Sequence, residues 1–94
     1  MKEQRIYKYE LKVEDNQNIL LPIGAKILTV QNQNEKACLW ALVDPNAETE
    51  GRHIEIFGTG HPVLSDMGTS REYISTFQMH GGQLVFHAFE NTGI

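Results

Sequence analysis

The stretch EYISTFQMHGGQLVFHAFE, residues 72–90, is the strongest structural signal in the sequence. Residues 72–79 and 83–90 are both rich in aromatic and β-branched side chains, which favour β-strands. Between them stand Gly81 and Gly82, and glycine readily adopts the positive φ that a two-residue hairpin turn requires. The stretch therefore predicts a β-hairpin with its turn at the two glycines.

The position of the two glycines fixes the register of this hairpin. On one face it pairs Phe77 with Phe86 and Met79 with Leu84. On the other face it pairs Thr76 with His87 and Ile74 with Phe89. An aromatic pair directly across two strands contributes roughly 0.2–1 kcal/mol relative to alanine. We prefer this register to one slipped by a residue, because it sets the two phenylalanines opposite each other.

Five further segments have the composition and the bounding turn residues of short strands: 6–13, 19–21, 25–31, 37–43 and 52–57. Residues 37–43 are apolar on both faces, which predicts a central strand with Trp40 buried. Residues 6–13 carry Tyr7 and Tyr9 and are expected at a sheet edge. No segment has a 3.6-residue period. We therefore expect one all-β domain, residues 1–94, built as a small antiparallel β-sandwich or an open barrel of about seven strands.

The charge and cysteine content exclude several classes of partner. The 94 residues include eight lysines and arginines against 12 acidic residues, which gives a formal net charge of −4. The basic residues stand singly, whereas nucleic-acid binding needs a concentrated cationic patch. Cys38 is the single cysteine and cannot form an internal disulfide, and no apolar run of about 18 residues is present to span a membrane. We expect a cytoplasmic protein with no nucleic-acid or membrane partner.

Catalytic and metal-binding patterns are missing from the sequence. The four histidines, His53, His61, His80 and His87, do not have the spacing of zinc ligands, and no cysteine pair could complete such a site. No serine occupies a nucleophile elbow. We therefore expect no metal, no cofactor and no enzymatic activity. We expect His53 and His80 to face solvent and His87 to bond a strand neighbour such as Thr76.

The segment IFGTGHP, residues 56–62, has two interpretations. Its glycines let a ligand approach the backbone, and consecutive N–H groups in such a turn can bind an anion. The alternative is a bulge or strand corner, because a dinucleotide-binding loop would need a third glycine and a helix. Both interpretations stay open, and residues 63–70 follow as the longest candidate loop. If the segment binds a ligand, the candidate residues are Phe57, Gly58, Thr59, Gly60, His61 and Arg71.

An acidic stretch offers a second kind of surface. Asp44, Glu48, Glu50 and Glu55 lie close together in the sequence, where a basic protein partner could bind them. The alternative is a solvated loop with no partner.

Four pieces of the sequence resemble a known family: LPIGAKILTVQ, CLWALVD, IFGTGHP and MHGGQLVFHAFE. The family consists of short, uncharacterised proteins of tailed phages and prophages, and the likeness runs from Lys8 to Glu90. The resemblance implies that the protein comes from a phage or prophage, and it implies no specific activity. In that setting, small phage proteins bind a host component, and some block immunity in the host cytoplasm by sequestering nucleotide second messengers.

Two functional hypotheses follow. The first is a non-enzymatic homo-oligomer that captures a small, phosphate-bearing host molecule between its subunits, with Arg52 and Arg71 as the nearby cations. The second is an accessory protein that binds and inhibits a host protein through a sheet edge or the acidic stretch.

Overall fold

The computed structural model describes residues 3–64 and 70–93 and contains seven antiparallel strands. They are β1 (Arg5–Leu11), β2 (Gln17–Pro22), β3 (Lys26–Gln33), β4 (Lys36–Val43), β5 (Thr49–Gly58), β6 (Arg71–Met79) and β7 (Leu84–Asn91). The prediction of an all-β fold is confirmed. Of the two architectures that the sequence left open, the structure is the sandwich, because the strands form two separate sheets and close no barrel.

The strands are ordered β1-β4-β3 in one sheet and β2-β5-β7-β6 in the other. Strand β4 is central, as its two apolar faces predicted, and β1 with its tyrosines is at an edge. Trp40 is half-buried and not buried, which corrects the sequence prediction. Its neighbours Leu39 and Ala41 point into the core. Trp40 alternates with them and therefore lies on the outer face of its sheet.

The register of the β6–β7 hairpin is confirmed at three of its four predicted pairs: Phe77 with Phe86, Met79 with Leu84, and Thr76 with His87. The fourth prediction is wrong, because Tyr73 lies opposite Phe89 in place of Ile74. A bulge between Tyr73 and Ser75 makes Ile74 an extra residue, and an extra residue shifts every pair beyond it.

The hairpin connection is also longer than the sequence predicted. It spans residues 80–83, closed by bonds from Gly82 N to the Met79 carbonyl and from Gln83 N to the His80 carbonyl, each 3.2 Å. Positive φ occurs at three successive residues, beginning with His80, so two glycines do not form the whole turn.

The two-residue turn with positive φ at both positions stands elsewhere, at Asn34 and Glu35 between β3 and β4. This is the pattern of a type I′ turn, which matches the twist of the flanking strands. The turn is held by Asn32, whose Oδ1 accepts the Glu35 N–H at 2.8 Å. The Glu35 carboxylate in turn accepts the backbone N–H of His80 at 3.0 Å, which ties one hairpin to the other.

The core lies between the two sheets, and all seven strands contribute to it. Its fully buried large side chains are Leu21, Val30, Leu39, Val43 and Ile54. Apolar burial of this kind supplies about 25 cal/mol per Å² and is the main stabilising contribution in a domain without disulfides.

Strands β3 and β6 meet along one seam between the sheets without forming a ladder. Side chains join them instead: Ser75 bonds both backbone groups of Val30, and the Asn32 amide donates to the Gln78 carbonyl at 2.9 Å. Further along the seam, each strand carries an extra residue, Leu28 in β3 and Ile74 in β6. An open cleft lies at that end, and both extra residues line it.

Candidate functional site

The FGTGH segment is a tight corner at the end of β5. His61 N donates to the Gly58 carbonyl at 3.0 Å, and Gly60 has φ +87°. A four-residue turn with positive φ at its third position has the signature of type II, which requires glycine there. Thr59 N donates to the Val85 carbonyl at 3.1 Å and ties the turn to β7. The amides of Thr59 and His61 are thus used within the fold and do not face a bound anion.

The same corner borders an open groove of about 370 Å³. The groove is lined by Gly58, Thr59 and His61 on one side and by Gln83, Leu84, Val85 and Phe86 on the other. The His61 ring covers Gly58, since a Cβ added to Gly58 would lie 3.6 Å from the ring. No lining side chain is an acid, a lysine or an arginine. The groove therefore offers one hydroxyl, one imidazole and one amide above an apolar wall.

A chain of side-chain hydrogen bonds crosses the four-stranded sheet beside this groove. The Thr59 hydroxyl lies 2.7 Å from His87 Nε2, and the Thr76 hydroxyl lies 3.0 Å from His87 Nδ1. The phenol of Tyr73 extends the chain, 2.7 Å from Thr76 Oγ1. The predicted bond between His87 and Thr76 is confirmed. Since both ring nitrogens are engaged, the chain fixes the orientation of the imidazole and holds the hydroxyl of Thr59 in place.

Phe57 and Arg71, the other two side chains among the sequence candidates, do not line the groove. Arg71 donates from Nε to Glu55 Oε1 at 2.6 Å, and its guanidinium carbon lies 5.9 Å from the centre of the Phe57 ring. The Arg71 and Glu55 side chains are only 15% and 8% exposed. The Nη1 of Arg71 also donates to the Leu64 carbonyl, at 2.9 Å. Arg71 thus joins β5, β6 and the segment after the corner.

Arg52, the other cation that the sequence offered for phosphate binding, is held in the same way. Its Nε and Nη2 donate to the two carboxylate oxygens of Glu90, and its Nη1 donates to the Ala25 carbonyl at 2.8 Å. The bond to Glu90 raises the pKa of Arg52, against the opposing effect of burial, with smaller contributions from Glu50 and Glu72. Such two-pronged pairs are among the strongest hydrogen-bonded contacts in proteins.

The acidic stretch of the sequence is dispersed in the structure and does not form one charged loop. Glu55 is buried against Arg71, and Glu50 accepts the Gly24 N–H at 3.2 Å. Asp44 Oδ1 accepts the Asn46 N–H at 3.0 Å and so caps a turn. Glu48 is exposed. The reason is that β5 already begins at Thr49, so that only the first part of the stretch is a loop.

The open end of the β3–β6 seam holds a larger cleft, of about 510 Å³. It is lined by Gly24, Ala25, Lys26, Ile27, Leu28, Arg52, Glu72, Tyr73, Ile74 and Glu90. No sequence pattern indicated this site beyond Arg52. Its walls come from distant parts of the chain, mainly β3 and β6, which meet only when the sheets pack and whose contacting residues Val30 and Ser75 are 45 residues apart.

The part of the chain that the structure describes contains no cluster of three histidine, cysteine or acidic side chains placed to hold a metal ion. His80 is exposed as expected, and His53 is half-buried with its Nδ1 3.2 Å from Asn18 Oδ1. Among residues 3–64 and 70–93, no helix has the length and apolarity needed to cross a bilayer. Residues 65–69, the middle of the longest candidate loop, lie outside the described part.

Comparison with known proteins assigns a family and no activity. Neither a curated protein nor a solved structure matches the chain. One family model matches residues 2–93, nearly the whole sequence. The chain belongs to the family defined by the domain of unknown function DUF7352.

Proposed function

We propose that the protein is a non-enzymatic binding protein that sequesters a small host molecule in the groove beside the FGTGH corner. One observation carries the proposal: Gly58, Thr59 and His61, three of the six sequence candidates, converge with residues 83–86 on a groove of about 370 Å³. Small-molecule sites typically enclose about 300–1,000 Å³ and combine an apolar wall with a few polar groups.

The lining indicates which part of a ligand the groove holds. Its polar groups are the Thr59 hydroxyl, the His61 ring and the Gln83 amide, above Leu84 and Phe86. A few hydrogen-bonding groups on an apolar wall suit a flat heterocycle such as a nucleobase. A nucleotide second messenger would place its base here, and sequestering it would give a phage protein an anti-defence role in the host cytoplasm.

The phosphate of such a ligand would need a cation from outside the groove. Arg52 and Arg71 are each bound to a carboxylate of the same chain, Glu90 and Glu55. A second subunit is the natural source, and β1 supports that assembly. It is an edge strand on which Ile6 is 61% and Tyr7 is 40% exposed. Antiparallel pairing of β1 with β1 of a second copy would extend one sheet across a two-fold axis.

A thermal-shift screen against a nucleotide panel tests this function. A ligand at about 100 times its Kd adds about 2.7 kcal/mol of stability. His61→Ala removes one wall of the groove from an exposed position, so it should abolish the shift while the unliganded protein melts as before. His53→Ala, on a histidine outside the groove, is the matched control. A shift that persists in His61→Ala, or no shift with any nucleotide, rejects the groove as the binding site.

The second candidate function is inhibition of a host protein, and the exposed edge of β1 is the observation that favours it. A partner strand could add to that edge. The exposed Glu48, in the loop before β5, offers a negative charge to a basic partner. A stoichiometric host protein that binds wild type and is lost on Ile6→Lys would support this function. Retention of the same protein by Ile6→Lys would exclude the edge.

A further inference from the structure

The cleft at the open end of the β3–β6 seam is lined by two charged side chains that have no direct partner among the described residues. Within residues 3–64 and 70–93, neither the Lys26 ammonium nor the Glu72 carboxylate makes a hydrogen bond or an ion pair, although both side chains line the cleft. Glu72 acts on Arg52 only as a nearby charge. The other two charged lining residues, Arg52 and Glu90, neutralise each other. The cleft therefore presents one ammonium and one carboxylate to whatever enters it.

The walls of the same cleft are apolar. Leu28 and Ile74, the extra residues of the two bulges, both line it, together with Ile27 and the ring of Tyr73. Leu28 remains 41% and Tyr73 60% exposed. Bulges commonly redirect side chains next to binding sites, and here two of them face each other across the seam. The apolar surface is thus left open at the point where the sheets separate.

We infer that this cleft binds a zwitterionic ligand with a large apolar side chain, of the chemical class of a free aromatic or aliphatic amino acid. The ammonium of the ligand pairs with Glu72, its carboxylate pairs with Lys26, and its side chain packs on Leu28, Ile74 and the Tyr73 ring.

Other ligand classes fit the charges less well. An anion would meet Glu72 and Glu90, which lie directly opposite each other on β6 and β7. A cation would meet Lys26 and Arg52. A neutral apolar molecule would take water from Lys26 and Glu72 without replacing its hydrogen bonds, which costs free energy. A ligand with both charges compensates both groups.

The inference does not depend on the proposed function. The cleft and the groove beside the FGTGH corner have no lining residue in common. Binding at one site can therefore be measured, and can fail, without bearing on the other.

Titration of the labelled protein with three matched probes, followed by NMR, tests the inference. The probes are L-phenylalanine, N-acetyl-L-phenylalanine, which lacks the ammonium, and L-phenylalaninamide, which lacks the carboxylate. L-phenylalanine should shift the amide signals of Leu28, Glu72 and Tyr73. Each of the other two should bind more weakly, by up to about fivefold, because one exposed ion pair contributes up to about 1 kcal/mol.

Two variants assign the charges. Glu72→Gln should bind L-phenylalanine and the N-acetyl probe equally well and should still prefer L-phenylalanine to L-phenylalaninamide. Lys26→Met should bind L-phenylalanine and L-phenylalaninamide equally well and should still prefer L-phenylalanine to the N-acetyl probe. Glu14→Gln and Lys12→Met, at exposed positions outside the cleft, should change neither preference. Equal binding of the three probes, or no shift of these signals at about 10 mM L-phenylalanine, overturns the inference.

Discussion

The hydroxyl of Ser75 bonds both backbone groups of Val30, accepting its N–H at 3.0 Å and donating to its carbonyl at 2.6 Å. Val30 is fully buried and Ser75 nearly so. On the side away from β4, β3 has no strand of its own sheet to bond, because β6 belongs to the other sheet. The Ser75 side chain thus makes the two hydrogen bonds that a neighbouring strand would make, and it joins the two sheets at their seam.

Ser75→Ala should therefore destabilise the protein far more than the loss of one hydroxyl from a surface. It leaves the buried N–H and carbonyl of Val30 without their partner, and each such group costs about 1–3 kcal/mol. We expect a loss of about 2–4 kcal/mol in urea unfolding. Ser70→Ala, at an exposed position, is the control and should change stability by less than about 0.5 kcal/mol. A Ser75→Ala protein as stable as that control would show that water replaces the hydroxyl.

Phe77→Ala should cost about 3–5 kcal/mol, the usual range for removing a buried aromatic ring. Phe77 is only 3% exposed, and its ring centre lies 5.7 Å from that of Phe86. Phe86 is half-buried, so Phe86→Ala should cost less. Leu20→Ala, at a side chain 67% exposed, should be nearly neutral. Equal losses for the two phenylalanines in urea unfolding would mean that their pairing matters more than their burial.

Glu35 should make part of the stability dependent on pH. The backbone N–H of His80, followed by the Asn32 amide, lowers the pKa of Glu35 below its ordinary value of 4.5. A carboxyl with a lowered folded pKa stabilises the protein fully above its unfolded pKa, and that contribution is lost as pH falls through the folded pKa. The urea midpoints of wild type and Glu35→Gln should therefore differ at neutral pH and converge in acid. Glu14→Gln should show no such convergence, and a constant difference for Glu35→Gln would contradict the prediction.

The stability of Gly60 variants should depend on how readily the new residue adopts a positive φ and not on the size of its side chain. Its φ is +87°, and a Cβ there would meet no atom within 4 Å. The left-handed region costs a residue with a side chain roughly 1–2 kcal/mol, and this cost is greatest for β-branched residues. Asparagine adopts this conformation more readily. We expect Gly60→Val to lower the melting temperature clearly and Gly60→Asn only slightly. Equal melting of the two variants would mean that the turn can change its type.

Ile6→Lys should dissociate the proposed homodimer. The substitution places a charge on the exposed edge strand β1, and inward or flanking lysines are a common means of preventing edge pairing. Light scattering should report the mass of two chains for wild type and the mass of one chain for the variant. Ile23→Lys, at an exposed turn residue outside the strands, is the control and should form a dimer like wild type. A monomeric wild type would remove the two-subunit part of the proposed function.

The sequence determined the strands because each of them is a local pattern. Alternation, apolar runs and turn residues placed all seven, and the pairing of Phe77 with Phe86 followed from two strands adjacent in the chain. It also identified the contact of His87 with Thr76, since the register sets them opposite each other. Local periodicity and a short connection suffice for statements of this kind.

Tertiary structure alone decided how the charged residues are used. Arg52 and Arg71 read as isolated cations in the sequence, yet packing places each against a carboxylate, Glu90 38 residues away and Glu55 16 residues away. Ser75 gave no signal, because its partner Val30 lies 45 residues earlier and on the other sheet. The bulges at Leu28 and Ile74, which open the cleft, have no local signature either. Side-chain pairing across a sandwich depends on which strands the core brings together, and that depends on the burial of the whole chain at once.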